Sequence, residues 1–261
     1  MIYNFKKIDA NMFKSNMDGL GRETTNYYTN ETDRILVEPN SNFDGGKIYC
    51  YKESWIKRGD IISISDNWYV VSQLSNLASD IFNVGVITLC DVFLTVQLGN
   101  FTYRIPAVAS KYSGNSNVRG IIDDSAEGKL SFITGYSDKF EEIKGNPYVV
   151  MFGKMWQIGD YMNVNNVLTV YCEGATSTGL KAEIGMSPIE TSYKVGDRIK
   201  PEFYLLNTTK TGEITLSTSN NTIAEVDSQG RIHFLRRGSV NIVATSNVDG
   251  AMYISPNITV K

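Results

Sequence analysis

The feature that most constrains this chain is how its apolar residues are distributed: they come in short β-branched and aromatic runs, each closed by Gly, Asn, Asp or Ser. Lys47-Ile48-Tyr49-Cys50-Tyr51, Asp60-Ile61-Ile62-Ser63-Ile64 and Trp68-Tyr69-Val70-Val71 are such runs, with Gly59-Asp60 and Ser65-Asp66-Asn67 supplying turns. Runs of four or five residues are too short for helices and fit strands joined by tight connections. The expected fold is therefore mainly β, with small antiparallel β-barrel or sandwich modules. A longer run, Val86 to Val96, is long enough for two strands, or for one bent by a bulge at Asp91.

Composition narrows the function classes. With 42% hydrophobic and 20% charged residues among 261, the chain can bury real cores and is not a disordered polymer. A net charge of -3 gives no basic field for gripping phosphates, so sequence-specific nucleic-acid binding is not expected. Cys50, Cys90 and Cys172 are widely spaced with no C-x-x-C pair, so three free thiols are expected, with Cys90 and Cys172 inside strands. His233 is the only histidine, which bars poly-histidine metal sites within one chain. The N-terminal residues Met1 to Lys7 lack the apolar core of a signal peptide, and the run from Val84 to Leu98 is too short to cross a bilayer. Neither membrane insertion nor export is expected.

Three stretches depart from the strand grammar. Residues 8 to 17 place Ile8, Met12, Phe13 and Met17 at helical spacing, and Gly19 and Gly21 would end that helix. Residues 18 to 46 are polar, with an isolated strand candidate at Arg34-Ile35-Leu36-Val37, and read as part of an N-terminal arm, residues 1–46, that needs a partner for order. Val108 to Gly128 reads as a long polar surface loop, and Gly174-Ala175-Thr176-Ser177-Thr178-Gly179 as a linker. Between arm and linker, two passages share one order: a Trp-led strand (Trp68, Trp156), a polar excursion, and a strand ending in Cys and an acid (Cys90-Asp91, Cys172-Glu173). They suggest a two-module repeat within a barrel-like domain of residues 47–178.

Beyond the linker the pattern sharpens. Val195-Gly196-Asp197 opens it. Ser219-Asn220 leads into Ile223-Ala224-Glu225-Val226-Asp227, with Gly230 and Ile232 following, and Gly238, Ile242 and Ala244 close it. Residues 180–261 thus spell a small sandwich that should fold alone. From about residue 184 to 261 the sequence closely resembles the bacterial immunoglobulin-like domain of the second type (Big2). The resemblance implies an immunoglobulin-like β-sandwich but no activity, since such modules serve as spacers, virion decorations and adhesion units.

A second resemblance covers residues 48 to 173. Gly59-Asp60 before Trp68-Tyr69-Val70-Val71, then Ile87-Thr88-Leu89-Cys90, Tyr103-Arg104-Ile105-Pro106, Gly128 to Ile133, and Gly153-Lys154-Met155-Trp156-Gln157-Ile158 look like head-tail connector, or neck, proteins of tailed bacteriophages. That resemblance implies a virion structural protein assembled in the host cytoplasm. It would form a homo-oligomeric ring between portal or adaptor and tail proteins, with contacts made by residues 1 to 180 and the terminal domain peripheral. The competing reading is a tail-associated or adhesin-like protein whose immunoglobulin-like domain touches a host surface or glycans.

Candidate chemistry is thin. His233, beside Arg236 and Arg237, reads as an outward strand residue with no partner for catalysis. Asp123-Asp124-Ser125-Ala126-Glu127-Gly128 lacks the ligand alternation of a calcium loop. Gly19-Leu20-Gly21-Arg22 has neither the strand before nor the G-K-S after that a phosphate loop needs. Trp55, Trp68 and Trp156 read as core residues rather than sugar-stacking platforms. No residue is assigned a catalytic, metal or cofactor role, no cofactor is expected, and the chain is not read as an enzyme.

Overall fold

The computed structural model describes residues 9–41, 44–76, 79–111, 129–137, 148–174 and 179–261. The fold is mainly β and almost wholly antiparallel. It divides into two compact units that do not follow linear order, one of residues 1–94, 105–138 and 159–172 and one of residues 95–104, 139–158 and 173–261.

The first unit begins with α1 (Ala10–Leu20) and six strands, β1 (Arg22–Thr25), β2 (Thr32–Pro39), β3 (Gly45–Tyr51), β4 (Ile61–Ile64), β5 (Asn67–Ser75) and β6 (Phe82–Leu89). Their order is β1-β2-β3-β6-β5-β4, and the sheet curls until its first and last strands meet. Asn26 bridges Ile62, the Tyr27 N–H donates to the Ile61 carbonyl at 2.9 Å, and the Thr25 N–H donates to Ser63 Oγ at 3.1 Å. The result is a nearly closed small barrel.

Period-two alternation fills both faces of that barrel. Ile35, Ile48, Cys50, Ile62, Val71 and Ile87 point inward. Leu36, Tyr49 and Phe82 point the other way, onto Phe13 and Met17 of α1. Phe13 stacks on Phe82 with ring centroids 4.8 Å apart and meets Tyr51 edge-on at 5.3 Å. Asp9 caps the helix by accepting the Met12 N–H at 2.8 Å. Gly19 lies within the helix, and Gly21 ends it, its N–H donating to the Met17 carbonyl.

These strands correct the reading of residues 18 to 46 as an arm that waits for a partner. β1 and β2 are barrel strands. The error has a physical source: Arg22-Glu23-Thr24-Thr25 carries no apolar residue, because β1 holds its place through backbone pairing with β2 and contacts to β4.

A second six-stranded sheet comprises β7 (Val92–Leu98), β8 (Phe101–Lys111), β9 (Lys129–Gly135), β10 (Tyr148–Met151), β11 (Lys154–Val164) and β12 (Val167–Gly174), in the order β10-β11-β12-β9-β8-β7. The run from Val86 to Val96 is thus two strands, broken at Cys90-Asp91. Asp91 accepts the Ala109 N–H at 2.8 Å. Cys90 is therefore not inside a strand, contrary to the sequence reading. Val108 to Lys111 belong to β8 rather than to a loop, while residues 112–128 and most of the expected linker, 175–178, lie outside the described residues.

The terminal strands are short: β13 (Glu183–Met186), β14 (Ser192–Tyr193), β15 (Arg198–Ile199), β16 (Phe203–Leu206), β17 (Ile214–Thr218), β18 (Ala224–Val226), β19 (Ile232–Phe234), β20 (Gly238–Val240), β21 (Ile242–Ser246), β22 (Met252–Ile254) and β23 (Ile258–Val260). They form small sheets β13-β16, β14-β23-β20, β15-β19-β18 and β17-β21-β22 around a core that includes Met186, Ala224, Ile232, Phe234 and Ile242. Only β14 and β23 run parallel among the described pairs.

Candidate functional site

The terminal motif residues act together as backbone fasteners. Gly196, at φ +95°, lets the opening segment turn so that its N–H donates to the Phe234 carbonyl, and the Phe234 N–H donates back to the Asp197 carbonyl. Asn220 Oδ1 accepts the Thr222 N–H and hydroxyl, which folds the passage from β17 to β18. Gly230, at φ +73°, supplies the turn between β18 and β19.

Asp227 is the centre of that turn. Its Oδ1 accepts the N–H groups of Gln229 and Arg231, and its Oδ2 lies 3.0 Å from His233 Nε2 and 3.4 Å from Arg231 Nε. The Arg231 N–H, then His233 and the Gln229 N–H, hold the carboxyl down to about 2. His233 is thus half-buried rather than outward-facing, and it pairs with Asp227, a contact the sequence did not reveal. Register places Arg198 and Glu225 opposite it on neighbouring strands. The pair fastens the turn between β18 and β19.

The three cysteines are free thiols. Burial pushes Cys50 up to about 11 and Cys90 and Cys172 up to about 12, so they behave as small apolar residues. Trp156 is buried and donates Nε1–H to the Met151 carbonyl at 3.0 Å. Trp55 and Trp68 are only half-buried, Trp55 donating to the Thr32 carbonyl and Trp68 meeting Tyr27 edge-on at 5.1 Å. The expectation of core packing therefore holds fully for Trp156 alone. Gly19 and Gly21 sit in and after a helix, not in an anion loop. The acids 123 to 127 lie outside the described residues, and no cluster of three metal-ligating side chains occurs among the described ones.

Sequence reasoning placed the turn at Ser65-Asp66-Asn67 and overlooked the hairpin tips at Asn165-Asn166 and Phe152-Gly153. Asn165 and Asn166 (φ 51° and 66°) and Ser65 and Asp66 (φ 48° and 67°) form two-residue turns with both centres left-handed, the type I′ geometry that matches strand twist. The Asn-Asn pair between alternating runs was a legible signal. Phe152 and Gly153 (φ 53° and 69°) do the same between β10 and β11, which leaves a phenylalanine 51% exposed in a conformation usually reserved for Gly or Asn. Met162 and Val164, next to the Asn-Asn turn, are also exposed.

Open clefts accompany these features. One of about 430 Å³ is lined by Glu38, Asn40, Asp44, Lys47 and Thr88 at the end of the β2–β3 hairpin. One of about 350 Å³ runs between the edges of β10 and β16.

Fold and site together define a mainly β protein whose polar clusters fasten turns. No protein-family model matches the chain, and no curated protein matches it with significance.

Proposed function

We propose that the chain is a non-enzymatic structural protein of a tailed-bacteriophage particle, a head-tail connector or neck component that forms a ring at the portal-tail junction. Its terminal domain, in this reading, is an immunoglobulin-like module of the Big2 kind. The observation that carries the reading is apolar exposure at hairpin ends: Phe152 in the β10–β11 turn, and Met162 and Val164 at the end of β11, stand in water, where a neighbouring subunit would bury them. A ring requires head-to-tail contacts between unlike patches of identical subunits, and exposed apolar residues at separate hairpin ends are the kind of side chain such contacts bury.

Native mass spectrometry with electron microscopy of the purified full-length chain tests the reading. Closed annular particles are expected, and Phe152→Asp or Met162→Asp should weaken them. A protein that stays monomeric at its highest soluble concentration, and is absent from particles of a phage that encodes it, would overturn the proposal.

A further inference from the structure

The β7–β8 hairpin turns at Gly99-Asn100, and its tip is not left in solvent. Phe101 packs on the terminal core with Met186 and Phe234. Thr102, 1% exposed, presses on β13 so closely that a Cβ built on Gly185 would fall 1.8 Å from its Oγ1. Tyr253, in the edge strand β22, donates its hydroxyl to the Asn100 carbonyl at 2.6 Å. An aromatic ring, a cradle that only glycine leaves open, and a hydrogen bond thus join residues 100–102 to strands that begin more than eighty positions later.

We propose that residues 99–104 are a strap for the terminal sandwich, and that β13 and β22 keep their native structure only while the strap is seated. Among the described strands β13 pairs with β16 and β22 with β21. Strands with a single ladder partner depend for the rest of their local stability on the side chains that pack over them. The strap supplies that cover and fixes where the sandwich sits on the sequence-distant hairpin. These contacts lie within one chain and hold whether or not it belongs to a phage particle.

Hydrogen–deuterium exchange on the full-length chain tests the strap. In Phe101→Ser, amides of 183–186 and 252–254 should exchange at least about ten-fold faster, as expected for losing a large apolar contact. Strands β2, β3, β5 and β6 should keep their protection. Tyr253→Phe, which removes one hydroxyl and leaves packing intact, should speed the same two segments by about two- to ten-fold. Unchanged exchange at 183–186 and 252–254 in both variants would overturn the strap. So would a loss of protection in Phe101→Ser that extends through the barrel while Tyr253→Phe leaves both segments unaffected.

Discussion

Gly59 carries more structure than a turn signal conveys. It stands at φ +90°, and a Cβ there would fall 2.0 Å from the Asn166 carbonyl oxygen; likewise, a Cβ on Gly135 would fall 2.0 Å from the Gly59 carbonyl oxygen. The Tyr136 N–H donates to the same Asn166 carbonyl at 2.8 Å, so three backbones meet without side chains between them. Gly59→Ala adds both a left-handed strain and a backbone clash and should cost more than about 3 kcal/mol, read as a lower urea midpoint. The sequence showed that a glycine turns there; it could not show which distant backbones require it, because that is set by tertiary closure. Asp227 gives a prediction of the opposite kind, since its place in the motif was legible and its partner His233 was not. Native contacts depress its carboxyl to about 2, so the stabilisation is present above the ordinary carboxyl value near 4 and is lost as pH falls towards about 2. Asp227→Asn should flatten that part of the acid-unfolding curve of the terminal strands, followed by exchange or near-ultraviolet dichroism. An unchanged acid limb in the variant would show that the turn contributes nothing to acid sensitivity.

At the scale of elements, strands with a buried alternation were easy to place and strands without one were not. β3, β4 and β5 were read within a few residues because Ile48, Ile62 and Val71 face one core. β1 was missed because its hydrogen bonds, not its side chains, hold it. The helix was placed correctly and its purpose was not: Phe13, fully buried, plugs the outer face of β2, β3 and β6 by stacking on Phe82. Phe13→Ala should therefore cost about 3–5 kcal/mol, the range for emptying a buried aromatic site. Stability of the full chain by urea denaturation, compared with Met12→Ala at an exposed site on the same helix, distinguishes packing from helix propensity. If both variants cost the same few tenths, α1 is an ornament on the barrel rather than part of it. The hairpin turns make a parallel case, since Asn166→Val would place a β-branched residue at φ 66° and should cost about 1–3 kcal/mol.

The whole molecule joins residues that the linear division kept apart, and that changes how truncations must be read. Deleting residues 1–46 would remove β1 and β2 and leave the Ile48, Ile62 and Ile87 core open along one side. Failure of such a protein to enter particles would report lost folding before it reported lost contacts. Deleting residues 180–261 has a different consequence. The β7–β8 hairpin would keep its strands but lose the surfaces that bury Phe101 and Thr102 and hold its tip beside Tyr253. The truncated chain should then carry a new exposed apolar tip and associate through it, which light scattering would record as concentration-dependent growth absent from the full-length protein. Adding Phe101→Ser to the truncation should suppress that growth and leave the barrel's thermal transition unchanged. Growth that persists in the truncated Phe101→Ser variant would place the adhesive surface elsewhere, with the exposed Phe152 tip as the next side chain to replace.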